Sequence, residues 1–454
     1  MSGTYLTRST TTRTNDRKFT FSCWFKKSTT GTDEYFVTNY ESGNDFGYIN
    51  NGNTDKFVIY DKAGGTERLQ AESNFVIRDT NAWYHLVYSV DSTASSNRVK
   101  FYINGVDRFS DFTVATAMAQ NSSVGFQQGT TSNGFRVGSQ QTGSATFNGL
   151  MSHVNFVDGL QLDASAFGET DSTTGEWKIK TSPTVSEYGN NGFFILKDGN
   201  SVTDQSGKGN NFGIGGSVGS LTKTEDNPSN VFATINPLNS YYAAGTFTYG
   251  NNVVLLPNKN GAWNTGTLGM TSGKYYWEIK CTGSSNGEEL QLGIADKSPV
   301  GNNAGSTAGK SFGYNANGEY GIYAYNGAFI GNAVANPYTS YGSATTNGIA
   351  MIAVDLDNNK FYAGANGTWF ASGNPATGAN GKTIQAVAST VDGCYYPAIS
   401  TYQGYDGKVE CNFGNGYFAD NAVSSAGTNA SGVGIFEYDV PTGYTALSTK
   451  GLNL

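Results

Sequence analysis

Charge is scarce in this sequence of 454 residues. Asp, Glu, Lys and Arg make up 14%, against ~25% in an ordinary soluble domain. The balance is acidic, with a net charge of −8. That excludes the basic footprint of a general nucleic-acid binder. Long hydrophobic runs are missing too. No apolar stretch approaches the ~18 residues of a membrane span. The first residues, Met1 to Thr14, hold no apolar signal core, so neither membrane insertion nor signal-directed secretion is expected. Histidine is nearly absent, with only His85 and His153. Both lie in strand patterns, as sheet residues do, and a Ser-His-Asp triad would need one of them oriented into a pocket. No Cys or His pair has zinc spacing. The four cysteines, Cys23, Cys281, Cys394 and Cys411, each sit in or beside a strand-like apolar run, where a thiol behaves as a small hydrophobe. Reduced core thiols fit assembly in a cytoplasm. The residues leave open a disulfide among the last three. No long segment shows a helical period.

Glycine and aromatics are what the chain has instead. There are 60 glycines, 28 tyrosines and 27 phenylalanines, but nine prolines. That composition points to short strands joined by tight turns. The clearest stretch is Ile349 to Phe370. Ile349 to Val354 is apolar at every position, which predicts a strand buried on both faces. Asp357-Asn358-Asn359 supplies a turn. Phe361 and Ala363 alternate with Lys360 and Tyr362, which predicts a half-exposed strand. Asn366-Gly367 is a strong type I′ hairpin signal, because both central residues need positive φ.

This run resembles the core of a SPRY domain. Gly273-Lys274-Tyr275-Tyr276-Trp277-Glu278-Ile279 resembles that family's entry strand. Leu292-Gly293-Ile294, Phe312-Gly313-Tyr314 and Tyr395-Tyr396-Pro397-Ala398 resemble its later landmarks, in the same order. The resemblance covers roughly residues 245 to 440 and implies a binding module. Exposed aromatics beside amides suit sugars, so Tyr320, Tyr323, Tyr325, Asn366 and Trp369 are the candidate ligand-binding residues. They could equally be ordinary sheet aromatics.

The N-terminal part has its own pattern. Phe19, Phe21, Cys23 and Phe25 alternate on one strand face. Trp83 to Val90 is a second strand, ending at Asp91. Val99, Phe101 and Ile103 alternate with Arg98, Lys100 and Tyr102, and Asn104-Gly105 then turns the chain. With Phe147 to Val154, this set resembles a laminin-G or concanavalin A-like lectin jelly roll over residues 1–165. Such jelly rolls often bind calcium through acidic loop ends, which need six to eight oxygen ligands. Asp91, Asp158 and Asp163 are the candidates here, solvated loop carboxylates being the plainer account. No other cofactor is implied. Residues 1–28 carry Arg8, Arg13, Arg17, Lys18, Lys26 and Lys27 against one acid, Asp16. They read as a solvated strand face or as a dock for an acidic partner.

Residues 166–245 read as a connector with short strands, including Phe193 to Leu196. Asp204-Gln205-Ser206-Gly207-Lys208-Gly209-Asn210-Asn211 resembles a turn common beside these jelly rolls. Residues 246–454 hold the SPRY-like domain and a C-terminal tail. The fold class is therefore all-β: two β-sandwich domains joined by a short β-containing connector. The module order, with the ending Val440-Pro441-Thr442-Gly443-Tyr444, is similar to that of tailed-bacteriophage virion proteins, including those of marine phages. That resemblance implies a virion structural protein, assembled in the host cytoplasm and in contact with other virion proteins. A tail fibre or spike adhesin for a host surface glycan or receptor is the first expectation, and a homotrimer fits it. A head decoration, head-fibre or neck protein touching capsid subunits is the alternative. A polysaccharide-degrading enzyme comes third.

Catalytic patterns are weak, and the chain is not expected to be an enzyme. A retaining glycosidase needs two carboxyls about 5 Å apart. Glu169 and Asp171 have suitable spacing but lie in a loop-like stretch. Glu288 and Glu289 would face opposite ways on a strand. Asp355 and Asp357 lead into a turn. Gly305 to Ser311 imitates a phosphate-binding loop but fails its spacing, with Ala304 where the first glycine belongs.

Overall fold

The computed structural model describes residues 3–80, 82–127, 134–173, 175–197, 201–216, 221, 224–259, 261–282, 290–297, 312–313, 318–331, 348–402 and 407–453. Among them the protein is all-β, with single 3₁₀ turns as its helical elements. The Glu288-Glu289 pair, the Gly305–Ser311 stretch and Tyr314 lie outside the described residues. The chain divides into two compact units, Met1–Lys223 and Thr224–Leu454.

In the first unit two antiparallel sheets enclose an aromatic core. The eight-stranded sheet runs Phe112–Thr116, Thr66–Val76, Lys56–Ala63, Asp45–Asn51, Glu34–Ser42, Phe135–Val137, Tyr5–Arg8 and Gly213–Gly215. The six-stranded sheet runs Phe193–Ile195, Gly149–Asp158, Lys18–Lys27, Tyr84–Asp91, Val99–Ile103 and Val106–Asp107. Strand alternation sends every second side chain inward. Phe19, Phe21, Cys23 and Phe25 thus meet Val99, Phe101 and Ile103 in one core, as expected. Asn104 and Gly105 turn the chain with φ of 48° and 80°. A side chain on Gly105 would sit 2.5 Å from the Trp177 ring, so only glycine fits.

Tyr102, on the face opposite Val99, Phe101 and Ile103, is buried as well. Residues 160–188 fold over the outer face of the six-stranded sheet, and Leu160, Phe167 and Trp177 pack there on Val87, Tyr102 and Val157. Within this segment Gly168–Thr170 pairs with Trp177–Ile179 as a small ribbon rather than a loop. The rest of residues 166–245 is shared out. Phe193–Ile195 and Gly213–Gly215 extend sheets of the first unit, and Ile235–Tyr241 joins a sheet of the second. Asp204 organises its turn, accepting from the backbone N–H groups of Phe194, Ser206 and Asn210 at 2.8 to 2.9 Å.

The six basic residues of the N-terminal stretch do not share one surface, and Arg13, Arg17 and Lys18 are partly exposed. Arg8, Lys26 and Lys27 are buried. Lys27 pairs with Asp55 at 3.2 Å, and Arg78 takes the other Asp55 oxygen at 3.1 Å. Lys26 and Lys27 are consecutive on one strand and leave opposite faces of the sheet, yet both are covered, and Arg8 donates to the Asn191 carbonyl at 2.9 Å. All four cysteines are buried free thiols.

The second unit is also a sandwich. Its nine-stranded sheet centres on Ile349–Asp355, between Lys274–Thr282 and Lys360–Ala365. Its six-stranded sheet runs Ile235–Tyr241, Trp263–Gly266, Tyr396–Thr401, Leu290–Ala295, Glu319–Tyr323 and Phe329–Gly331. Ile349–Asp355 is buried throughout, as its apolar run predicts. Asn366 and Gly367 hold φ of 50° and 82°. Tyr362 is buried rather than half-exposed, because the C-terminal segment crosses that face. Val433, Phe436, Val440 and Tyr444 pack there on Tyr276, Met351 and Tyr362.

One buried carboxylate clasps this segment. Glu278 accepts from the backbone N–H groups of Glu437 and Tyr438 at 2.9 and 2.8 Å, and from the Tyr276 hydroxyl at 2.9 Å. Burial outweighs these donors and pushes the Glu278 carboxyl up to about 7, above the ~4.3 of an unfolded chain. Its contribution to stability is therefore complete below about pH 4 and is lost as pH rises through about 7. The urea midpoint of the full chain should fall between pH 5 and pH 8, and Glu278→Gln should reduce that fall. Asp204→Ala should cost about 2–4 kcal/mol in urea melts, because it strands several buried donors.

Candidate ligand-binding surfaces

Two sandwiches have four outer sheet faces. Three carry a second hydrophobic cluster: under residues 160–188, under the C-terminal segment, and around Trp263 and Tyr323. The fourth is the outer face of the eight-stranded sheet. Among the described residues no such cluster covers it, and it presents aromatic rings instead.

These rings form a cross-strand ladder. Tyr48 lies opposite Tyr60, Tyr40 opposite Phe46, and Phe46 opposite Lys62. Tyr48 and Tyr60 stack at 5.4 Å between ring centres, Phe46 and Tyr60 at 5.3 Å, and Tyr35 stands 5.2 Å from Tyr48. The Lys62 ammonium lies 5.8 Å over the Phe46 ring. Tyr40, Phe46, Tyr48 and Tyr60 are half-buried, and Gln70, opposite Tyr60, is exposed. Burial and the neighbouring Tyr35 and Tyr60 hold the Tyr48 hydroxyl well above the usual phenol range, so it stays a neutral donor and acceptor. The surface offers a rigid apolar floor bordered by an amide, an ammonium and the Glu67 carboxylate. Sugars suit it, since ring contacts take their C–H faces and the polar border takes their hydroxyls. The sequence reading missed this ladder. Its signal was available: Phe46, Tyr48 and Tyr60 alternate with the inward Ile49, Phe57 and Ile59, so both faces of one hairpin are aromatic or apolar.

The five residues proposed from the sequence do not converge. Tyr320 points into the core, where its hydroxyl accepts from the Gln385 N–H at 3.0 Å. Tyr323 and Tyr325 lie together on the outer face of the six-stranded sheet, 5.9 Å apart. Asn366 and Trp369 belong to a hairpin of the other sheet. Asn366 is exposed and accepts from the Ile349 N–H, and Trp369 is half-buried against Tyr276.

The three calcium candidates are already engaged. Asp91 pairs with Lys18 at 2.9 Å, and Asp163 with Lys100 at 2.7 Å. Asp158 is buried and accepts from the backbone N–H groups of Thr14 and Asn191. Among the described residues no three acidic, His or Cys side chains gather as a metal group would require. These residues therefore do not fit the oxygen-rich shell of calcium. Glu169 and Asp171 share Lys178, at 3.5 and 3.1 Å. Asp355 is tied to Lys274 and Asn358, and Asp357 accepts from the Gly273 N–H.

His85 comes closest to a catalytic arrangement and has the wrong polarity. It is fully buried, with Nε2 2.9 Å from the Ser22 hydroxyl. Its Nδ1 accepts from Trp177 Nε1–H at 3.1 Å. In a triad a carboxylate stands there and accepts from Nδ1–H. Nε2 must therefore carry the proton and donate to Ser22, which cannot be activated that way. Burial, and then His153, push the ring down to about 3. Nitrogen-15 NMR should show His85 neutral, protonated at Nε2 and unchanged from pH 5 to 8.

Residues 1–164 match the family described as the concanavalin A-like lectin/glucanases superfamily. No curated protein matches the chain in sequence. Among solved structures, the SPRY domain of human HERC1 is 16% identical, with a TM-score of 0.29, covering 39% of this chain and 96% of its own. A Bacteroides ovatus protein described as carbohydrate binding is 15% identical, with a TM-score of 0.32, covering 47% of this chain and 56% of its own. Domain 4 of AbnA, a GH43 arabinanase of Geobacillus stearothermophilus, is 19% identical, with a TM-score of 0.25, covering 32% and 63%. At these scores the structural likenesses say nothing of what this chain binds.

Proposed function

We propose that this chain is a non-catalytic glycan-binding protein, serving as a tail fibre or spike-type adhesin on a tailed-bacteriophage particle. The observation that carries the reading is the open aromatic ladder on a jelly roll of the lectin superfamily. A buried ladder would serve only the sheet, whereas a half-exposed one with a polar border serves a ligand as well. The virion setting follows the module order of the sequence. Display as a homotrimer would raise the avidity of weak single sites. The absence of catalysis is supported by the carboxylate pairs, whose oxygens are held by lysines and turn N–H groups.

The test is binding of the purified chain to host cells and to extracted host surface polysaccharide. The Tyr48→Ala, Tyr60→Ala double variant should weaken binding about tenfold or more, which corresponds to about 1.4 kcal/mol. It should fold with only a modest loss of stability, since cross-strand pairs contribute about 0.2–1 kcal/mol each. Undiminished binding by that variant would remove the ladder from the account. Failure of the intact chain to bind cells or slow phage adsorption would remove the adhesin.

A further inference from the structure

The open face of the first unit carries one cation without a counter-charge. A straight cross-strand row crosses this face. Thr7 lies opposite Arg136, Arg136 opposite Thr38, Thr38 opposite Tyr48, Tyr48 opposite Tyr60, and Tyr60 opposite Gln70. These side chains leave the sheet outward, because their neighbours Leu6, Val137, Ile49 and Ile59 enter the core. Arg136 thus stands on the side of the ladder, two strand spacings or about 10 Å from Tyr48. It is half-buried, with its guanidinium 5.0 Å over the Tyr5 ring. Its Nη1 donates to the Gln140 carbonyl at 3.4 Å, and its Nε has no partner. No described carboxylate pairs with it. The other charges around the face are answered. Lys62 stands opposite Glu67 and donates to the Gly43 carbonyl at 2.8 Å. Glu67 accepts from the Thr116 hydroxyl, Asp33 accepts from the Asn50 amide at 2.7 Å, and Glu72 pairs with Lys56 at 2.9 Å. In a chain with 36 acids to 28 bases, a guanidinium is left short of acceptors on the one face that is open.

We propose that the glycan bound on this face is acidic. Arg136 receives a sugar carboxylate, while the Tyr48 and Tyr60 rings carry the adjoining sugars. The inference rests on the ladder being the glycan site and adds the class of its ligand. A guanidinium presents N–H donors in a planar fork that meets a carboxylate through two parallel hydrogen bonds. The Tyr5 ring beneath it favours this position by cation–π attraction. Thr7 and Thr38, on either side of Arg136 in the row, are short. The Thr38 hydroxyl donates to the Ser139 carbonyl at 3.0 Å, so it is already engaged. A uronic acid differs from the neutral hexose by its carboxyl alone, so the ladder serves both and Arg136 decides between them. The net charge of −8 repels acids at long range. Preference for an acid must therefore come from this local contact, and salt should weaken it.

The experiment titrates the full chain by calorimetry at low and high salt. The probes are tetragalacturonic acid, its methyl ester, and maltotetraose sulfated once per unit. At low salt the acid should bind about tenfold more tightly than the ester. Arg136→Gln should bring the two within about twofold, by weakening the acid and leaving the ester unchanged. A residue that only supported the sheet would weaken both alike. Arg136→Lys keeps the charge without the fork, so it should lose part of the preference, and it decides the matter if Arg136→Gln does not fold. The Tyr48→Ala, Tyr60→Ala variant should weaken acid and ester together. Equal affinity of the native chain for acid and ester, tighter binding of the sulfated sugar than of the acid, or an acid preference that survives the Arg136 variants would each overturn the inference and leave the ladder as a glycan site. Binding of none of the three would overturn it too, and binding of extracted host polysaccharide then shows whether the glycan reading falls with it.

Discussion

A strand in a sandwich has two faces, and only one of them meets the core. Everything else in this protein follows from what happens to the other. Phe19, Phe21 and Phe25 on one side, and Trp277, Ile352 and Phe361 on the other, settle the two cores. Those cores fix the strands but leave four outer faces to be covered, clasped or left open. The first unit covers one with residues 160–188, where Trp177 caps the buried His85. The second unit covers one with its C-terminal segment, held by Glu278.

The open face inherits its properties from this arrangement. Its strands cannot shift, because their inward residues are locked in the aromatic core. Tyr48 and Tyr60 are therefore held in place before any ligand arrives, and little ordering cost remains. Aromatic side chains suit such a role because they present much area with few rotatable bonds. The same logic accounts for the described histidine His85 and for several described acids. Their partners were consumed in holding covering segments to sheets: Trp177 and Ser22 for His85, Lys178 for Glu169 and Asp171, and backbone N–H groups for Asp158 and Glu278.

Alternation made the inward faces legible in the sequence. Phe19 to Phe25, Val99 to Ile103 and Ile349 to Val354 behave as their patterns predict, and so do the Asn104-Gly105 and Asn366-Gly367 turns, because these depend on local chemistry. Tyr362 was read as half-exposed, and nothing in the alternation around Tyr102 announced that its face is covered too. Their burial depends on segments some sixty to eighty residues away in sequence, which no local period reports. Tyr320 was misplaced for a related reason: aromatic alternation shows that two faces exist, not which is inner. Lys26 and Lys27 misled in the opposite sense, since charge argued for solvent while both are covered, on opposite faces of one strand. The ladder was overlooked because Phe46, Tyr48 and Tyr60 look individually like ordinary strand residues. Only the register of two strands brings them together.

The most direct test of the central claim, that the uncovered sheet face is the one that binds, is NMR on the full chain labelled with nitrogen-15 tyrosine. Extracted host surface polysaccharide would be titrated in. The account predicts that signals of Tyr40, Tyr48 and Tyr60 shift first and together, with those of Tyr102 and Tyr362 unmoved. Shifts confined to tyrosines away from that face, with Tyr48 and Tyr60 silent at saturation, would contradict it.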